Sequence, residues 1–143
     1  RRLKDMEMIL RFFALYYHPQ NYRSPMKDFL NRYMASNREL ERQSESELVR
    51  VFEETTAAIA EAIGPPAFRP VRAINAAVID SVMVGVARRL SAGPLHNPKE
   101  LAERYQELLK NEKYRNAVET GTSQEANVQA RLDLSTKAFA PIE

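Results

Sequence analysis

The chain has 143 residues, 44% of them hydrophobic and 28% charged, with 21 basic and 19 acidic side chains for a net charge of +2. That length suits one domain burying roughly two-thirds of its unfolded surface, and the near balance of charge supplies no global field to draw in nucleic acid or an anionic membrane. The lack of cysteine excludes disulfide staples, thiolate nucleophiles and thiolate-bearing zinc sites, and fits a reducing cytoplasm.

Residues Arg2 to Tyr17 place Leu3, Met6, Ile9, Leu10, Phe13, Tyr16 and Tyr17 on one broad helical face and Met8, Phe12 and Leu15 on a second. The polar stripe is narrow. It runs through Lys4, Glu7, Arg11, Ala14 and His18, so burial of most of the circumference is expected. No capping Ser, Thr, Asp or Asn precedes this helix, and paired arginines stand at its positive dipole end. The chain is therefore expected to be the carboxyl-terminal part of a longer protein.

Ser24 followed by Pro25 reads as a cap with proline at the first helical position, opening a short helix through Met26, Phe29, Leu30, Tyr33 and Met34. Ser36 to Gln43 reads as a loop or solvated extension. Ser44 and Glu47 have capping-box spacing, and Leu48, Val51, Phe52, Thr55, Ile59 and Ile63 trace one face until Gly64, Pro65 and Pro66. A connector with Phe68 and Pro70 leads to a central helix near Ala73 to Leu90, apolar apart from Asn75, Asp80, Ser81, Arg88 and Arg89. Its Gly85 lowers helix propensity by about 1 kcal/mol relative to alanine, which marks a close backbone crossing.

Asn97 and Pro98 start a fifth helix with Leu101, Tyr105, Leu108 and Leu109 inward, and a short helix follows near Glu112 to Val118. Thr122 with Glu125 offers a second capping box, for a last helix bearing Val128, Leu132 and Phe139. No run alternates with period two and no Asn-Gly or Asp-Gly turn occurs. The predicted fold is all-α, an orthogonally packed bundle of about six to seven helices forming a single domain over residues 1–143. The most apolar stretch, Ala73 to Ala87, falls short of the about 20 residues needed to span a bilayer.

The sequence holds no phosphate loop, dinucleotide fingerprint, nucleophile elbow or paired histidines at metal spacing, so no catalytic or metal-binding residue is predicted. His18 reads as a cap at the carboxyl end of the first helix and His96 as an exposed loop residue. Phe12, Phe13, Tyr16 and Tyr17 read as core rather than as a base-stacking platform. Asp80 interrupts the most apolar helix, and a buried carboxylate needs a partner, for which Arg69, Arg72 and Arg11 are the candidates. Between Ala67 and Leu95 the one acid is Asp80, which makes Arg69, Arg72, Arg88 and Arg89 the candidate nucleic-acid-binding set, against ordinary salt bridging. Thr120-Gly121-Thr122 at a helix start, with Asn127 and Arg131 nearby, is a second phosphate candidate, against simple capping.

The run Arg2-Leu3-Lys4-Asp5-Met6-Glu7-Met8-Ile9-Leu10-Arg11-Phe12-Phe13-Ala14-Leu15 is followed by Met26 to Met34, Ala67-Phe68-Arg69, Asn75 to Asp80, the Tyr105 to Leu109 helix and the Thr120 to Arg131 tail. In that order these segments resemble the GmrSD-type restriction endonuclease N-terminal-domain family, bacterial proteins with a ParB/sulfiredoxin-like nuclease or nucleotidase core followed by a helical region. The resemblance covers nearly the whole chain and rests on helix-packing residues. It implies a helical scaffold or accessory region of a nucleotide-dependent DNA nuclease in bacterial restriction or phage defence, located in the cytoplasm. The implied partners are an amino-terminal ParB-like domain of the same protein, which would hold any nucleoside triphosphate, and DNA.

The family's Asp-Gly-Gln-Gln-Arg-like catalytic motif and its His-Asn-His partner domain have no counterpart in these residues, so the chain alone is expected to be non-catalytic. A rival reading is a free-standing interaction module, dimerising through the apolar faces of the first helix. A third is a small-ligand binder with its pocket between helices.

Overall fold

The structure, a computed structural model, describes residues 2–64 and 75–143. Among the described residues it is all-helical and without strands. The order is α1 (Arg2–Tyr17), a 3-10 turn (Pro19–Asn21), α2 (Met26–Ser36), α3 (Glu45–Ala62), α4 (Ala76–Ser91), α5 (Pro98–Lys110), α6 (Glu112–Glu119) and α7 (Glu125–Phe139). No described helix is long and apolar enough to cross a membrane.

Helix α4 is the centre. Every residue from Ala77 to Ala87 is buried, on all sides, as a helix apolar around its circumference requires. It packs most extensively on α7 and then on α1, α3 and α6. Asn75, expected inside the helix, is instead its cap: the side-chain oxygen accepts from Ala77 N at 2.9 Å and Val78 N at 3.1 Å. The same amide donates to the Val118 carbonyl at 3.0 Å, tying the start of α4 to α6.

Ser44 caps α3 through Glu47 N at 3.2 Å and Asn97 caps α5 through Glu100 N at 3.3 Å, as their spacing predicts. The other two expected caps differ. At α2 the cap position is Pro25, whose carbonyl accepts from Asp28 N and Phe29 N, and Ser24 makes no capping bond. At α7 the helix starts after Gln124, because the chain around Thr122 is turned so that its carbonyl meets Arg131 at 2.6 Å.

Helix α1 is rotated relative to the expectation. Ala14 is fully buried and the Arg11 side chain is only 14% exposed, whereas Met6 and Ile9 stand 59% and 39% exposed. Of the expected polar stripe, Lys4 and Glu7 are exposed while Arg11 and Ala14 face inward, beside the fully buried Phe12 and Leu15 of the expected second apolar face. Ala14 packs in the core, and Arg11 reaches the buried carboxylate of Asp80 on α4.

Gly85 is the close crossing its propensity cost suggested. A Cβ built on it would lie 2.9 Å from Phe139 Cδ2, 2.9 Å from Ser135 Oγ and 3.0 Å from the Ser135 backbone carbon on α7. The backbone contact cannot be relieved by a rotamer change. Gly85→Ala is therefore expected to destabilise the fold by about 1–3 kcal/mol through overpacking, despite its better helix propensity. Denaturant melts giving a variant as stable as wild type would show that α4 and α7 separate freely at that point.

Candidate functional site

Asp80, buried in the middle of α4, accepts from Arg131 on α7 through both oxygens, Nε to Oδ1 at 2.9 Å and Nη2 to Oδ2 at 2.8 Å. This is the bidentate fork geometry of a strong charge-assisted pair. The remaining Arg131 nitrogen, Nη1, donates to the Thr122 carbonyl at 2.6 Å and the Ala117 carbonyl at 3.4 Å. Arg11 of α1 is a second cation, its Nη1 3.6 Å from Asp80 Oδ2 and its Nη2 3.4 Å from Glu7. Of the partners expected for Asp80, Arg11 is present in this secondary position, while Arg69 and Arg72 lie outside the described residues. The principal partner, Arg131, was assigned elsewhere by the sequence reading.

The centre is closed. Asp80 and Arg131 are 1% and 0% exposed, so the carboxylate is surrounded by guanidinium donors and out of reach of solvent. Beside it, Ser81 Oγ donates to the Ala77 carbonyl at 2.7 Å, which leaves its oxygen to accept from Tyr114 OH at 2.7 Å. Burial pushes the Tyr114 phenol well above its ordinary range, so it stays a neutral donor.

Two of the four nominated arginines can be placed, and both are tied into the fold. Arg88 Nη1 donates to Thr136 Oγ1 at 2.7 Å. Arg89 donates to the carbonyls of Ile142 at 2.6 Å, Gly93 at 2.8 Å and Pro94 at 3.2 Å, closing the carboxyl end of α4 against the tail of the chain. The Thr120-Gly121-Thr122 segment is likewise engaged by its own side chains. Asn127 Nδ2 donates to the carbonyls of Thr120 at 3.2 Å and Gly121 at 2.8 Å, and Arg131 serves Thr122. Carbonyls, not N–H groups, are what these donors meet, so the two cationic and amide side chains proposed for a phosphate are already occupied.

A cavity of about 500 Å³ opens where α1 ends, lined by His18, Arg23, Arg32, Tyr33 and Arg42 among others. None of its arginines was singled out by the sequence reading. Arg32 shares a face of α2 with Phe29, Tyr33 and Ser36 at helical spacing, but His18, Arg23 and Arg42 come from three separate segments, and only folding joins them. Arg42 is positioned by Asn37, whose Oδ1 accepts from Arg42 N at 3.0 Å and Gln43 N at 3.1 Å. Tyr33 OH adds a bond to Gln43 Oε1 at 3.0 Å, and burial pushes its phenol up to about 12.

His18 extends α1 by one bond, its N–H donating to the Ala14 carbonyl at 2.9 Å. Its Nε2 is buried without a partner, and its ring lies 5.6 Å from that of Tyr33. Burial first, and the charge of Arg42 second, hold the imidazole below its ordinary pKa of 6.5. It is neutral at pH 7. His96, by contrast, is an exposed loop residue as expected, with its backbone N–H on the Glu143 carbonyl at 2.8 Å.

Comparison of the chain with family models, with characterised proteins and with solved structures finds no match to any of them.

Two measurements test this description. Removing one partner of the buried pair leaves an uncompensated charge, so Arg131→Met alone is expected to lose about 3–5 kcal/mol. The double variant Asp80→Leu/Arg131→Met should be more stable than Arg131→Met; additive losses in a double-mutant cycle would mean the two charges are not coupled. For His18, a folded-state pKa below the unfolded one means that the unfolded chain binds the extra proton. Its contribution is present above about pH 6.5 and is lost as pH falls from there through the folded pKa. Chemical denaturation at pH 7 and pH 5 should therefore show a smaller loss of stability in His18→Gln than in wild type, and equal losses would contradict the assignment.

Proposed function

We propose that this chain is a helical accessory domain that buttresses a DNA-acting catalytic domain, docking it through the first turns of α1 and the facing side of α2. The observation that carries this reading is an apolar groove of about 360 Å³ between those helices, lined by Met6, Leu10, Leu30 and Met34 with Glu7 and Lys27 at its edge. Met6 is 59% and Met34 48% exposed, and Ile9 adjoins them on α1. Apolar surface rimmed by polar side chains is how protein-contact sites present themselves, and methionine adapts to a partner's shape.

The resemblance of this same helix to the helical region of ParB/sulfiredoxin-like nucleases supplies the class of partner. That α/β domain would handle the nucleoside triphosphate and DNA, in a cytoplasmic restriction or anti-phage system, while the present chain supplies rigid support. The buried Asp80–Arg131 centre suits such a part, since it fixes helix positions and offers nothing to a substrate. The second reading, a homodimer formed through the same groove, is favoured by the same exposed residues.

The two are separated by one set of experiments. The chain is mixed with the ParB-like domain expected in the same reading frame, and complex formation is followed by native mass spectrometry and sedimentation. An equimolar complex weakened by roughly tenfold or more in Met6→Glu/Met34→Glu is the expected result. Self-association of the chain alone, abolished by that variant, would transfer the groove to the dimer. A reading frame that encodes no Asp-Gly-Gln-Gln-Arg motif would sink the nuclease reading.

A further inference from the structure

The cavity at the end of α1 is independent of the docking groove and has a different chemistry. Arg23 stands on the connector before α2, Arg32 on α2 and Arg42 on the connector after it, and all three line one concavity that no acidic residue lines. Clustered like charges repel, and protein surfaces ordinarily relieve this with carboxylates. Here the relief falls on Arg23 alone, whose Nε is 4.0 Å from Glu125 and whose Nη1 donates to the Tyr22 carbonyl at 2.7 Å, while among the described residues neither Arg32 nor Arg42 has a carboxylate within 4.0 Å.

Several arginines elsewhere are matched by a carboxylate one helical turn away. Arg50 pairs with Glu47 and Glu54, Arg104 with Glu100 and Arg115 with Glu119. At the cavity, by contrast, Arg32 and Arg42 meet no carboxylate among the described residues. Around the guanidinium groups lie the uncharged side chains of Gln20, Asn21 and Ser36, with the rings of Phe29 and Tyr33 in the wall. Planar guanidinium forks supplemented by amide and hydroxyl groups are the donor set that recognises phosphate oxygens.

We propose that this cavity binds a small molecule carrying a di- or triphosphate group, held by Arg23, Arg32 and Arg42. The shape selects a compact anion over a nucleic-acid backbone. A volume of about 500 Å³ is that of a small-molecule site, whereas backbone binding calls for cations spread along a track. The site is also partly set before any ligand arrives, because Asn37 and Tyr33 fasten the Arg42 connector to α2.

Titration calorimetry with inorganic tripolyphosphate at low ionic strength tests this on the 143-residue chain. Saturable binding of one tripolyphosphate per chain is expected. Arg32→Gln/Arg42→Gln should weaken it by roughly tenfold or more. The control, Arg50→Gln/Arg115→Gln, removes the same charge from sites outside the cavity and should change affinity by less than about threefold. All four positions are exposed, so circular dichroism should show both variants folded. Equal weakening by the two variants would reduce the effect to net charge and overturn the proposal. So would the lack of saturable binding, or binding of a short DNA duplex that depends on Arg32 and Arg42 while tripolyphosphate fails to bind.

Discussion

The buried pair of Asp80 and Arg131 governs how the helices of this protein meet. Taking a carboxylate and a guanidinium out of water costs several kcal/mol for each ion, so the pair adds little net stability. Its contribution is to register. Only one placement of α7 along α4 brings Arg131 to Asp80, and the same placement sets Ser135 against Gly85 and Thr136 against Arg88. These contacts advance together along both helices, so α4 and α7 run in the same direction. The intervening α5 and α6 return the chain from the end of one to the start of the other.

From that centre the structure builds outward in layers of decreasing constraint. The third arm of Arg131 holds the chain between α6 and α7, and Arg11 brings α1 to the same carboxylate. Arginine is put to two distinct uses. Arg88, Arg89 and Arg131 are held within the fold by carbonyls, a hydroxyl and a carboxylate, whereas Arg23, Arg32 and Arg42 line a cavity in the outer layer. Position along the chain does not separate the two groups. What separates them is how much of each guanidinium the surrounding structure engages.

The elements were legible where local chemistry decides them. Ser44 and Asn97 accept from N–H groups three residues away, within one helical turn, and the apolar circumference of α4 requires burial whatever the neighbours are. The burial of Phe12 and Leu15 on α1 was legible from their apolar spacing, but that of Arg11 and Ala14 was not, because hydropathy ranks them below Met6 and Ile9, which stand exposed. Thr122 fits a capping box as well as Ser44 does, yet the helix starts after Gln124, while the Thr122 carbonyl is taken by Arg131. Likewise, Asp80 announces that it needs a cation without saying which, and its partner lies 51 positions away on a helix whose apolar pattern is weak. The arginine cavity was invisible for the same reason: its members belong to separate segments, and charge in a linear window averages out against Glu39 and Glu41.

Helix α2 packs chiefly on α1, whereas α4 is enclosed by four helices. Opening α2 therefore exposes one side of α1 and leaves the ion centre intact, while no part of α4 can open without breaching it. Backbone amides in the two helices should consequently exchange with solvent by different routes, those of α2 through small local openings and those of α4 only through global unfolding. Both the apolar groove and the arginine cavity therefore lie on the outer layer around α2, apart from the buried ion pair at the centre.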